Sequence, residues 1–95
     1  MTVPDSYSAF RVIIGGRVQG VGFRYSAVNK AERLQISGYV KNMPDGSVAL
    51  EIEGVRENAE QMLAWCYHGP RTAWVDQVQE YQEPPKGYKG FSVKY

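Results

Sequence analysis

The chain has few of the residues from which enzymes build nucleophiles and metal sites. Its 95 residues include one cysteine, Cys66, and one histidine, His68. A single cysteine excludes a disulfide within the chain and a multi-cysteine metal site. Cys66 and His68 are two residues apart in a segment with helical spacing, so they do not share a face. We therefore expect no metal and no cofactor, and we interpret Cys66 as a buried core residue.

Strong charge and long apolar runs are also lacking. The formal net charge is +1, which indicates neither a basic surface for nucleic acid nor a patch for anionic membranes. No apolar run reaches transmembrane length, and the first residues lack the pattern of a signal peptide. We expect a cytoplasmic monomer that binds neither nucleic acid nor membranes. The length fits one domain, which we place at residues 9–95 after a flexible N-terminus at residues 1–8.

Hydrophobic periodicity divides the chain into short elements. A helical stripe predicts one helix that begins at Phe23 and ends before Gly38, and a second over residues 59–67. The segment from Trp74 to Tyr81 lacks clean alternation, which indicates a strand with a bulge or an edge position. Pro44-Asp45-Gly46 predicts a hairpin turn. Regular alternation predicts four further strands, at residues 10–14, 39–43, 48–53 and 91–95.

The order of these elements, βαββαβ with an additional C-terminal strand, predicts an α+β sandwich. Both helices should lie on one face of a mainly antiparallel sheet. In a split βαβ unit the first two strands run parallel with the third between them, so their C-terminal ends share one edge of the sheet. This brings Asn42, at the end of the second strand, close to the segment that follows the first.

That segment, residues 15–24, reads Gly-Gly-Arg-Val-Gln-Gly-Val-Gly-Phe-Arg. Its glycines allow the backbone to turn several N–H groups toward one point, and Arg24 stands where a helix should begin, so the pattern is typical of an anion site. It fits neither a nucleotide P-loop, since Val21 and Gly22 stand where Lys and Ser/Thr are needed, nor a dinucleotide fingerprint. The alternative is a glycine-rich turn that only reverses the chain.

The residues near this edge include no carboxylate pair, histidine or thiol that could act as a strong base or nucleophile. Phosphoryl transfer suits such a site, because its catalysis consists mostly of positioning and charge stabilisation. The side chain of Asn42 could orient a water molecule while it contacts the substrate. A leaving group that departs without protonation is needed, and a carboxylate is one. By elimination, the residues favour an acyl phosphate as substrate.

Two segments closely resemble the signatures of the acylphosphatase family: residues 16–24, and residues 38–42 with Asp45-Gly46-Ser47-Val48. The element order and the terminal Gly90-Phe91-Ser92-Val93-Lys94-Tyr95 extend the resemblance over nearly all of the chain after the first eight residues. It implies a ferredoxin-like α/β sandwich that hydrolyses acyl phosphates to a carboxylate and inorganic phosphate, without a metal or a covalent intermediate.

The resemblance also implies a role for particular residues. Arg24 would bind the phosphate, and Asn42 would orient the attacking water. Inorganic phosphate would be both product and competitive inhibitor. The backbone N–H groups that would join Arg24 in binding the phosphate are those of Arg17, Val18, Gln19, Gly20 and Val21.

Two alternatives stay open. The same sandwich topology supports non-catalytic modules that bind RNA or a small anion, and Lys86-Gly87-Tyr88 followed by Gly90-Phe91 resembles an RNA-binding strand motif. The motif is interrupted by Lys89 and lies at the C-terminus instead of on a central strand.

Related domains also begin larger carbamoyl-transferring maturation enzymes, although we expect a free-standing enzyme.

Overall fold

Alternating apolar residues build one five-stranded sheet in the computed structural model, which describes residues 7–95. The strands occur in the order β4-β1-β3-β2-β5, and every neighbouring pair is antiparallel except β2 with β5. This is the predicted α+β, ferredoxin-like sandwich. Its elements are β1 (Tyr7–Arg17), α1 (Phe23–Arg33), β2 (Ser37–Asn42), β3 (Val48–Val55), α2 (Arg56–Cys66), β4 (Trp74–Glu83) and β5 (Phe91–Lys94).

The central strand β3 determines where the ends of its neighbours lie. It pairs antiparallel with β1 on one side and with β2 on the other, so β1 and β2 run parallel, as predicted. Ile14 of β1 and Asn42 of β2 both oppose the same residue, Val48. The end of β2 and the segment after β1 therefore meet at one edge of the sheet.

The core lies between the sheet and the two helices. Alternate residues of the strands, such as Val12, Leu50 and Val40, face alanines of α1 and the apolar stripe of α2. Cys66 is completely buried in this core, and burial raises the pKa of its thiol to about 12. A protonated, inaccessible thiol is a packing residue, which agrees with our interpretation of Cys66. Within residues 7–95, no helix is long and apolar enough to cross a bilayer.

Strand β1 is longer than the sequence predicted. Tyr7 and Ser8 pair with Val55 and Gly54, so β1 begins before residue 9, where the sequence placed the start of the domain; residues 1–6 lie outside the described part of the chain. The strand also continues through residues 15–17, which pair with β4. The segment that joins β1 to α1 is consequently short, and we call residues 18–22 the glycine loop.

Strand β4 has both irregular features that its sequence indicated. It lies at the edge of the sheet, and its register against β1 shifts between Gly15, which opposes Gln77, and Gly16, which opposes Val75. Asp76 is the extra residue of this bulge. At Gly16, with φ +125°, a Cβ atom would lie 2.2 Å from the carbonyl oxygen of Trp74, so the bulge requires glycine there.

Helix α1 ends before Gly38, as predicted, and the residue that ends it is Gln35. Gln35 adopts a left-handed conformation with φ +56°. Its N–H donates to Glu32 O at 3.2 Å, and the N–H of Ile36 donates to Ala31 O at 2.8 Å, which together form a Schellman motif. Gly38 lies inside β2 instead, where a Cβ atom would approach Glu51 O to 1.8 Å.

A loop covers the sheet face that lies opposite the helices. Residues 84–90, which we call the strap, are held by Glu53, a carboxylate with 1% exposure. One carboxylate oxygen accepts from the N–H of Lys86 at 2.8 Å, and the other accepts from the N–H groups of Gly87 and Tyr88, both at 2.9 Å. The strap thereby compensates a buried negative charge on the central strand.

A second buried carboxylate, Glu51, binds the side chains of the strap. It accepts from Lys86 Nζ at 2.7 Å and from the Tyr88 hydroxyl at 2.9 Å. Desolvation and the hydrogen bond to Glu51 raise the pKa of Tyr88 to about 12, and the hydrogen bond to Glu51 raises the pKa of Lys86. Glu51 and Glu53 thus lie on the face of the sheet that the strap covers.

The variant Glu53→Ala should lower the free energy of unfolding by about 2–4 kcal/mol, because three backbone N–H groups lose a charged acceptor. Urea unfolding measures this change. Glu60→Ala is the control, since Glu60 is exposed on α2, and it should change stability by less than about 0.5 kcal/mol. Equal midpoints for the two variants would contradict the assignment of Glu53.

Candidate active site

The glycine loop leads directly into the N-terminus of α1. Gly20 and Gly22 have φ of +76° and +80°, a left-handed backbone conformation that favours glycine. A Cβ atom at either position would meet nothing within 4 Å, so the requirement for glycine comes from the backbone conformation and not from crowding. Gly22 is the N-cap residue, and no side chain caps the helix. The first N–H groups of α1 therefore stay available to an anion, which the helix dipole also favours.

Two side chains brace the glycine loop from opposite sides. Gln19 Nε2 donates to Met43 O at 2.8 Å and to Ser47 O at 2.9 Å, which joins the loop to the turn between β2 and β3. The Thr72 hydroxyl donates to Val21 O at 2.6 Å, which joins the loop to the segment before β4. These bonds hold the loop backbone beside the end of β2.

One cleft of about 400 Å³ contains both residues for which the sequence predicted a catalytic role. Arg24 comes from the first turn of α1, and Asn42 comes from the end of β2. Asn42 Oδ1 is buried, and no group within residues 7–95 donates a hydrogen bond to it. The cleft is lined by Val18, Gly20, Gly22, Phe23, Arg24, Tyr25, Val28, Asn42, Val93 and Tyr95.

No carboxylate in the described part of the chain pairs with Arg24. Within residues 7–95, Arg11 forms an ion pair with Glu83, and Lys86 forms ion pairs with Glu51 and Glu83. None of these ion pairs includes Arg24. Its guanidinium carbon lies 5.4 Å from the centre of the Tyr95 ring, in a cation–π arrangement. A half-buried guanidinium beside a helix N-terminus can bind a phosphoryl group through its planar donor fork.

The other predicted site residues have different positions. Val18 and Gly20 line the cleft, and Gln19 braces the loop. The side chain of Arg17 lies outside the cleft; Arg17 pairs with Trp74 and lines a separate depression with residues 71–74. Sequence reasoning missed the side chains of Gln19 and Thr72, because their partners are 24 to 51 residues away.

A neighbouring depression of about 300 Å³ lies beside the β2–β3 turn. It has no cationic lining residue, so it suits an anion less well than the cleft that holds Arg24. In the described part of the chain, no three His, Cys, Asp or Glu side chains form a group that could hold a metal ion. The lining residues of this depression are Ile13, Gly15, Gly16, Asp45, Gly46, Ser47, Gln77 and Gln79.

Comparison with known proteins agrees with this geometry. The acylphosphatase family model matches residues 10–93. The chain belongs to the acylphosphatase family. An acylphosphatase from Nostoc sp. is 51% identical over 83 residues, which are 87% of this chain and 82% of that protein. The chain is accordingly a hydrolase that cleaves acyl phosphates, with a carboxylate and inorganic phosphate as products, as the sequence predicted.

Solved acylphosphatase structures share the fold. The structure of an acylphosphatase from Coxiella burnetii superposes with a TM-score of 0.91 at 36% identity and covers 99% of this chain and 100% of that one. Full-length HypF superposes with a TM-score of 0.87 at 29% identity, where this chain covers 12% of the larger protein. These relatives do not support the alternative of a non-catalytic binding module.

Replacing Gln19 should impair catalysis through the position of the loop. Gln19→Ala removes both bonds to the β2–β3 turn, and we expect kcat/KM for acetyl phosphate to fall about tenfold to a hundredfold. In Gln19→Glu the side chain keeps nearly the same shape, but an ionised carboxylate cannot donate a hydrogen bond. The kcat/KM of this variant should therefore fall as far as that of Gln19→Ala. Gln61→Ala, an exposed glutamine of α2, is the control. Full activity in both Gln19 variants would show that the brace is dispensable.

Proposed function

We propose that the glycine loop and Arg24 bind the phosphoryl group of the acyl phosphate, while Asn42 orients the attacking water. The observation that supports this most is the shared cleft, which is lined by Arg24, Asn42 and the loop glycines; among the described residues, no carboxylate pairs with Arg24. The side-chain amide of Asn42 has an acceptor oxygen and two N–H donors, enough to hold a water molecule and a phosphoryl oxygen together.

Phosphoryl binding uses groups that are already in place. The backbone N–H groups of residues 17–21 and the guanidinium of Arg24 donate to the phosphoryl oxygens. Because Gln19 and Thr72 fix the loop from both sides, little reorganisation is needed as charge accumulates on these oxygens in the transition state. The site thereby stabilises the transition state more than the free substrate.

Asn42 governs the nucleophile. Its side-chain amide hydrogen-bonds both the water and a phosphoryl oxygen, so the water oxygen is directed at phosphorus. A bond forms between the water oxygen and phosphorus as the bond between phosphorus and the acyl oxygen breaks. The electron pair of the broken bond leaves with the carboxylate. Since carboxylic acids have a pKa of about 4, the leaving group needs no proton. The proton of water passes to the phosphate product.

The remaining aspects of the proposal follow from composition and from the site. We propose a monomer, because every group assigned to the site comes from one chain. A net charge of +1 argues against nucleic acid or anionic membranes as partners. The single free thiol of Cys66 is compatible with the cytoplasm. No cofactor takes part, and inorganic phosphate competes with the substrate for the same donors.

Two substitutions test these roles. In the presence of a chelator, Arg24→Gln and Asn42→Ala should each lower kcat for benzoyl phosphate about 10²–10³-fold, because each removes a group that acts in the transition state. The matched controls are Arg33→Gln and Asn29→Ala, at exposed positions of α1, which should retain activity. Unchanged turnover in either test variant would overturn the role of that residue, and dependence on an added metal would overturn the cofactor-free mechanism.

A further inference from the structure

The cleft extends beyond the groups that bind the phosphoryl end of the substrate. Val28 lies one helical turn after Arg24, and Val93 faces the same cleft from β5; both are half-buried against the core. The aromatic rings of Tyr25 and Tyr95 are 73% and 93% exposed. Among the described residues that line the cleft, Arg24 has the only charged side chain. Apart from the amide of Asn42, the other side chains of the lining are apolar or aromatic.

Strand pairing brings this wall close to the reacting groups. Residues 38–41 of β2 pair in parallel with residues 91–94 of β5, so continuation of the register places Tyr95 next to Asn42. The ring of Tyr95 also lies over the guanidinium of Arg24. A phosphoryl group bound by Arg24 and attacked by a water on Asn42 therefore has its acyl substituent close to the Tyr95 ring.

We propose that Tyr25, Tyr95, Val28 and Val93 form an acyl subsite that selects substrates with an uncharged aromatic or apolar acyl group. This inference rests on the proposed function, because it assumes that the phosphoryl group is bound by the glycine loop and Arg24. An aromatic acyl group can stack on the exposed tyrosine rings and cover the two valines. An acetyl group offers only one methyl for such contacts.

The lining disfavours acyl groups that carry a negative charge. The charge of Arg24 is engaged by the phosphoryl group, and the acyl subsite offers no second cation to pair with a carboxylate. Moving a carboxylate against apolar side chains without a partner is costly. Selection for aromatic acyl groups therefore combines an attractive surface with the absence of a charge partner.

Tyr25→Ala tests the subsite with three substrates: acetyl phosphate, benzoyl phosphate and succinyl phosphate, whose acyl group carries a carboxylate. Tyr25 is preferable to Tyr95 because Tyr95 also contacts Arg24, so its loss would affect every substrate. We expect kcat/KM for benzoyl phosphate to fall about threefold to tenfold, and that for the other two to change less than about twofold. Tyr25→Phe, which keeps the ring, should retain the benzoyl preference.

The control is Trp74→Ala, since Trp74 is 72% exposed on β4 and lies outside the cleft; it should leave the ratio of benzoyl to acetyl turnover unchanged. An equal change for all three substrates in Tyr25→Ala, or no change, would overturn the acyl subsite while the proposed function stands. If the wild-type protein cleaved none of them, the proposed function would fail and the subsite with it.

Discussion

The pairing of β3 with β1 on one side and β2 on the other is the constraint on which the site depends. Because both pairings are antiparallel, β1 and β2 must run parallel and finish at the same edge of the sheet. Val48 opposes Ile14 and Asn42 at once, which sets the end of β2 against the segment after β1. A one-residue slip in the β2–β3 pairing would turn Asn42 to the opposite face of the sheet.

This constraint brings the parts together, and side chains then hold them. Gln19 joins the glycine loop to the β2–β3 turn, and Thr72 joins it to the segment before β4. A loop with glycines at positive φ would otherwise have many conformations, and its N–H groups would have to be ordered when the substrate binds. On the far face of the sheet, the bonds from the strap to Glu53 fix the chain that leads into β5, whose Val93 lines the same cleft.

Local patterns were sufficient to predict most of the fold and the residues of the proposed site. Alternation identified the strands, the split βαβ rule placed Asn42 near the loop, and the irregular spacing in β4 correctly indicated its bulge. The errors arose where distant contacts decide the structure. Pairing with β3 and β4 extends β1 to Tyr7–Arg17, beyond the predicted residues 10–14. The strap that covers Glu51 and Glu53 was not predicted, because its bonds join residues more than 30 positions apart. The bonds of Gln19 and Thr72 have no local signature.

The most direct measurement of the central claim is a titration of the ¹⁵N-labelled protein with inorganic phosphate, followed by NMR. If the loop, Arg24 and Asn42 form one site, the backbone amides of residues 17–21, the guanidinium Nε–H of Arg24 and the side-chain amide of Asn42 should shift with a single shared Kd. The amides of Lys86, Gly87 and Tyr88, which are bonded to Glu53 on the other face, should not respond. Shifts confined to other residues, or a loop response without Asn42 and Arg24, would contradict the account.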